Sequence, residues 1–209
     1  MIKEYHVPLH ILKHSLAVAK LAVFLGERLQ EKGIVIDIKL VERACLLHDL
    51  VRVCDFKALD YSRFKQNITE HDKAKWEQIR TEYKNVRHED AAYYLLKEKY
   101  SRLALVIRKH RYISILDEKQ KPNTWEEKLI YYADMRVMHD KIVPLEERLK
   151  DGHQRNVFLH KMQTENSIDI TRIDPLIYDL ENEIMEQVCL KPVEVTAEFI
   201  DLYLNTNAN

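Results

Sequence analysis

The chain has 209 residues, 46% hydrophobic and 32% charged, and its 33 Lys+Arg against 34 Asp+Glu leave a formal net charge of −1. That is one ordinary folded domain, or a domain with a small appendage, with chain enough for a sizeable core. It argues against a disordered polymer or a polycationic nucleic-acid binder.

Three Gly and five Pro are too few for the many turns of an all-β fold, so composition favours an all-α fold. Cys45, Cys54 and Cys189 form no Cys-x-x-Cys pair and suit a reducing compartment. Met1–His6 begins no signal peptide, and no apolar run approaches the ~18 residues of a membrane span. A cytoplasmic location is therefore expected.

In chain order, Pro8 fits the first turn of a helix running to about Lys32, with Gly33 as C-cap. Leu9, Leu12, Leu16, Ala19, Val23 and Leu29 give it an apolar stripe, and His14 lies beside that stripe. Asp37 is a plausible N-cap for a helix over about Ile38–Val53. Ala44, Cys45, Leu46, Leu47, Leu50 and Val51 make that helix apolar around nearly its full turn, so it should be buried. In its middle sit His48 and Asp49, and a buried carboxylate without a partner costs several kcal/mol.

Thr69 with Asp72 resembles a capping box, opening a strongly charged helix over about Glu70–Tyr83. Residues 55–85 read as a flap, with Phe56, Tyr61, Phe64 and Trp76 available either to anchor it or to stack a base. The helical period returns over Val86–Tyr100, with His88 in its first turn. Ser101 caps the next helix, closed by His110. Thr124-Trp125-Glu126-Glu127, a second capping-box pattern, opens a helix through Asp134 to about Met138. Pro144 starts a short helix ending at Gly152, and Gln154–Asp169 is a ragged helix at best. Pro175 opens a helix to about Cys189, and Pro192 separates a last one over Val193–Leu204. Residues 1–152 read as the core and 153–209 as a helical extension packed on it.

Three His-Asp pairs occur, and context separates them. His71-Asp72 lies on a solvated face, and His139-Asp140 reads as a helix terminus. His48-Asp49 lies inside an apolar run. His14, His88, His110 and Asp134 share that signature, a metal-capable side chain embedded in an apolar helix. Each alone is as well explained by a satisfied core residue, but together they are poorly explained by chance. Imidazole with carboxylate suits Mn, Fe, Co, Ni or Zn rather than Ca or Mg. His10, one turn before His14, could chelate in its place.

The ordered set His14, His48-Asp49, His88, His110, Asp134 resembles the HD-domain superfamily of metal-dependent phosphohydrolases. Leu12–Ala19 is similar to that family's first helix, Leu46-Leu47-His48-Asp49-Leu50 to its name-giving motif, and Lys128–Asp134 to its last ligand helix. The resemblance implies a helical bundle in which His14, His48, Asp49 and Asp134 hold one ion. It further implies that His88 and His110, with Asp49 bridging, hold a second. The common His-Asp-Ile-Gly-Lys run appears here as His48-Asp49-Leu50-Val51-Arg52, and the Gly-Tyr-Pro element of the cyclic-dinucleotide phosphodiesterases is absent.

The implied chemistry is metal-activated hydrolysis of a phosphate ester or anhydride, of a nucleotide or related small metabolite. Asp49 and Arg52 are the catalytic residues expected, and Arg52, Lys109, Arg111 and Arg136 the phosphate-binding cations. One or two divalent transition ions are the expected cofactor. The expected partner is a small phosphorylated substrate, not a membrane or nucleic acid, and a homodimer is left open. Two other readings remain: a diiron oxygenase of the same superfamily, or a nucleotide-binding regulator that kept the fold.

Overall fold

The structure is a computed structural model that describes residues 1–64, 66–155 and 170–207. The ragged helix expected over Gln154–Asp169 falls almost wholly outside the described residues. Within them the fold is all-α, with one two-residue hairpin.

The central element is α1, Leu9–Glu31, entered through Pro8 at the N-cap. It closes at Gly33, whose φ of +83° is the left-handed conformation that favours glycine. Its buried face is Ile11, Val18, Leu21, Ala22, Leu25 and Leu29. The expected stripe was rotated: Leu9 and Leu16 are exposed, because the neighbours α2 (Ile38–Leu47) and α6 (Trp125–Asp134) pack on the adjoining face. Gly26 sits at that junction, where a Cβ would come within 2.6 Å of Ile38 Cδ1 and 3.3 Å of Leu129 Cδ1. By length and composition α1 could cross a membrane, at mean hydropathy 1.4, but half of that window is buried inside this fold.

Asp37 caps α2 as expected, accepting from Leu40 N at 3.0 Å. The helix does not run on to Val53. It stops at Leu47, and the chain tightens through Leu50 N to Leu47 O and Arg52 N to Asp49 O into a 3₁₀ turn over Arg52–Asp55. The reason is local: the His48 ring takes the carbonyl of Cys45, which an α-helix would have given to the amide four residues on.

The segment read as a flap carries α3, Glu70–Glu82, opened by a complete Thr69–Asp72 capping box. It is better anchored than its charge suggests. Trp76 and Ile79 are almost wholly buried, Phe64 is buried, and Trp76 donates to His6 O at 2.6 Å. Helices α4 (His88–Leu96) and α5 (Ser101–Arg108) pack on each other, and α5 also packs on α2 and α6. A Thr124–Glu127 capping box opens α6, which ends at Asp134 rather than Met138. Beyond it Val137–Met138 pairs antiparallel with Lys141–Ile142. His139, expected at a helix terminus, turns this hairpin at φ +59°.

Three further helices are α7 (Leu145–Arg155), α8 (Ile173–Val188) and α9 (Ala197–Asn207). The last two pack back on α1, and α8 also meets α6. Phe24 packs edge-on to Tyr203 at 5.0 Å between ring centres, and Lys20 pairs with Asp201 at 2.6 Å.

Candidate metal centre

Four histidines and two aspartates from five parts of the chain meet where α1, the end of α2, α4, the end of α5 and α6 converge. His14 Nε2 lies 2.9 Å from Asp134 Oδ1. His48 Nε2 lies 3.7 Å from Asp49 Oδ2 and 3.8 Å from Asp134 Oδ1. On the other side His88 Nε2 is 3.1 Å from Asp49 Oδ1 and 3.1 Å from His110 Nε2. Asp49 thus turns one carboxylate oxygen toward each half. Among the described residues three triads have ligand atoms all within 4.8 Å of one another: His14–His48–Asp49, Asp49–His88–His110 and, behind the second, Asp55–His88–Glu89.

Proton positions follow from the partners. A backbone carbonyl only accepts, so a ring nitrogen bonded to one carries the proton. His14 Nδ1 donates to His139 O at 2.8 Å, His48 Nδ1 to Cys45 O at 2.6 Å, and His110 Nδ1 to Ile107 O at 2.5 Å. His48 and His110 are each left with a lone pair on Nε2, aimed inward, whereas His14 Nε2 donates to the Asp134 carboxylate in the metal-free protein. His48 is 1% exposed and its Nε2 has no hydrogen-bond partner. Neutral imidazoles anchored through one nitrogen and converging through the other are what a divalent transition ion requires, and carboxylates complete the donor set. The residues fit such an ion.

The electrostatics divide the rings. At His14 burial is outweighed by Asp134 and Asp49, and at His88 burial and Arg52 are outweighed by Glu89 and Asp49, so both hold a proton more tightly than usual, while His48 and His110 do the reverse. Burial lowers the affinity of His48 for a proton. It does the same to His110, helped by His48 and His88, which brings it down to about 4. Burial pushes Asp49 up, but Arg52, His48 and His88 together hold it well below the usual carboxylate range. Asp134 is likewise depressed, burial being outweighed by His14 and His48. Neutral rings and ionised carboxylates are the ligand-competent forms.

The four cations expected to bind phosphate have different fates. Arg52 is at the site: its side chain is 37% exposed, with Nη1 3.8 Å from Asp49 Oδ1 and 3.9 Å from Asp55 Oδ2. Nη1 also lies 2.8 Å from both ring nitrogens of His88, so it rests against the ring rather than on one in-plane bond. Arg111 lines a cavity with Glu89, Arg108, Ser114 and Gln120, next to His88 in sequence through Glu89. Lys109 does not face the centre; it is 2.8 Å from Glu127 Oε2 at the start of α6.

Arg136 is a correction. It is buried and spent on structure, pairing with Glu181 Oε1 at 3.0 Å and donating to Tyr132 Oη and to the carbonyls of Val143 and Val195. No donor is left for a substrate. Among the aromatics, Trp76 is committed to His6 O, which favours the anchoring role over base stacking. His10 is stacked against Phe56 and tilted on Phe64, while His14 takes the contact with Asp134.

Sequence reasoning missed three groups. The carbonyl of His139 orients His14, Asp55 Oδ2 lies 2.7 Å from His88 Nδ1, and Glu89 is buried beside the same ring. None has a spacing signature, because outer partners are chosen through space. A family model described as the HD domain matches residues 11–138. No curated protein and no solved structure matches the chain.

Proposed function

This chain belongs to the HD-domain family, whose members bind divalent metals and are mostly metal-dependent hydrolases, and we propose that it hydrolyses a phosphate ester or anhydride of a nucleotide or related small phosphorylated metabolite. The observation that carries this reading is the buried, unpartnered Nε2 of His48, aimed at two ionised carboxylates and flanked by three more inward-facing imidazoles. Such a centre fits one or two ions of Mn, Fe, Co, Ni or Zn.

When bound, the ions supply acidified water at neutral pH and positive charge for the phosphate oxygens. The rest falls to the protein. Asp49, an oxygen toward each histidine pair, fixes the separation of the two halves. The anchored Nδ1 protons prevent the four rings from rotating out of register. Arg52 reaches the partly exposed rim and offers a planar fork that suits two oxygens of one phosphoryl group. Arg111, which lines a cavity with Glu89, would meet a more distant anionic group of the substrate.

Metal content of the purified chain, followed by a screen of nucleotides and dinucleoside polyphosphates with that metal, tests the reading. Asp49→Ala should abolish both metal retention and turnover. A metal-replete, active Asp49→Ala protein sinks the assignment. Oxygen consumption without phosphate release would move it to the oxygenase branch.

A further inference from the structure

Three of the four inward-facing histidines are anchored by backbone carbonyls, which the fold supplies whatever the local sequence. His88 is different. Its Nδ1 lies 2.7 Å from Asp55 Oδ2, a side chain from the 3₁₀ turn that follows the His-Asp motif. A second carboxylate, Glu89 Oε2, is 3.2 Å from the same nitrogen but forms no hydrogen bond. Two carboxylates therefore compete for one ring proton, and the geometry gives it to Asp55.

Asp55 is itself held. Arg87 Nη1 lies 3.3 Å from the same Oδ2, and Arg52 Nη1 is 3.9 Å away. Arg87 also reaches Glu89 Oε1 at 3.2 Å, so that carboxylate has a cationic partner of its own.

We propose that Asp55 is the positioning residue of the second half of the centre: it accepts the Nδ1 proton of His88 and so presents the His88 Nε2 lone pair to the ion shared with His110 and Asp49. The two-ion part of the proposed function is the premise for the last clause. The first clause stands on the apo protein alone. A carboxylate behind a ligand histidine also makes the ring a stronger donor than a carbonyl does, so the Asp55 side of the centre is the one whose affinity a single side chain sets. The His14–His48 half has no such dependence.

The test uses the full chain and three variants. Histidine ¹⁵N spectra of the metal-free protein at pH 9 report which nitrogen of His88 is protonated. Zn titration by calorimetry reports each ion's affinity. In the wild type the Nδ1–H form of His88 should dominate. Asp55→Ala should convert it to a tautomer mixture and weaken the second ion by about 10–100-fold, with the first ion unchanged. Asp55→Asn keeps an acceptor oxygen and the shape, so it should retain the tautomer and recover part of the affinity. Glu89→Gln should leave the tautomer as it is.

A wild-type tautomer in Asp55→Ala overturns the proposal, as does a tautomer change in Glu89→Gln of equal size. If the wild type takes up one ion but Asp55→Ala still shifts the His88 tautomer, the two-ion reading fails and the assignment of Asp55 stands.

Discussion

His14 Nε2 and Asp134 Oδ1 lie 2.9 Å apart across 120 residues of chain. The contact joins the first and last helices that contribute to the centre, so the site closes only when α1 and α6 pack. His14→Ala should therefore lower bound metal from the first half of the centre and cut turnover by at least about 100-fold, the upper range for lost ligand-shell contacts. His88→Ala should remove only the second ion. Elemental analysis of the two variants, set beside activity, checks the division.

Arg52 is the one expected phosphate contact whose guanidinium lies among the centre's own groups. Arg52→Lys keeps the charge and loses the fork, and it should lower kcat/KM by roughly 10-fold; Arg52→Ala should lower it by about 100-fold, in line with about 1.5–3 kcal/mol for a charge-assisted contact. Unchanged kinetics in Arg52→Ala would remove it from the mechanism.

Arg136 should behave in the opposite way. Removing it leaves Glu181 buried and unpaired beside Tyr132, so Arg136→Ala should cost about 3–5 kcal/mol. At roughly 2–4 °C per kcal/mol for a chain of this size, the Tm should fall by about 10 °C. The folded fraction should keep its kcat/KM. A specific loss of substrate affinity at unchanged Tm would return Arg136 to the phosphate site.

Asp72 offers a pH test away from the centre. Burial raises its carboxyl, but hydrogen bonds from His6 and Thr69 together outweigh burial and bring it down to about 2 from an ordinary 3.8. A depressed value means stability that is fully present above pH 3.8 and lost as pH falls toward 2. Asp72→Asn should remove that component. Its denaturation midpoint should fall less steeply than the wild type's between pH 4 and 2.

Some of this molecule is local, and that part was legible without coordinates. The Thr69–Asp72 and Thr124–Glu127 boxes and the Asp37 cap lie within three residues of their partners, so the chain itself encodes them. Two stretches misread locally were α2, broken when the His48 ring captures the Cys45 carbonyl, and the hairpin after Asp134, too short to show a period of two. The ligand-type residues were also recognisable, because a histidine or aspartate inside an apolar run demands a partner whatever that partner is.

The identity of the partner is another matter. Lys109, Arg111 and Arg136 look alike in sequence, each beside a presumed ligand. Only packing sends one to Glu127, one to a cavity and one to Glu181. Asp55 and the His139 carbonyl became visible the same way, reaching His88 and His14 across 33 and 125 residues. Composition and period determined that this chain is helical and carries a cluster of metal-capable groups. Which proton sits on which nitrogen, and which cation is free for a substrate, was decided by distances of a few ångströms between residues far apart in the chain.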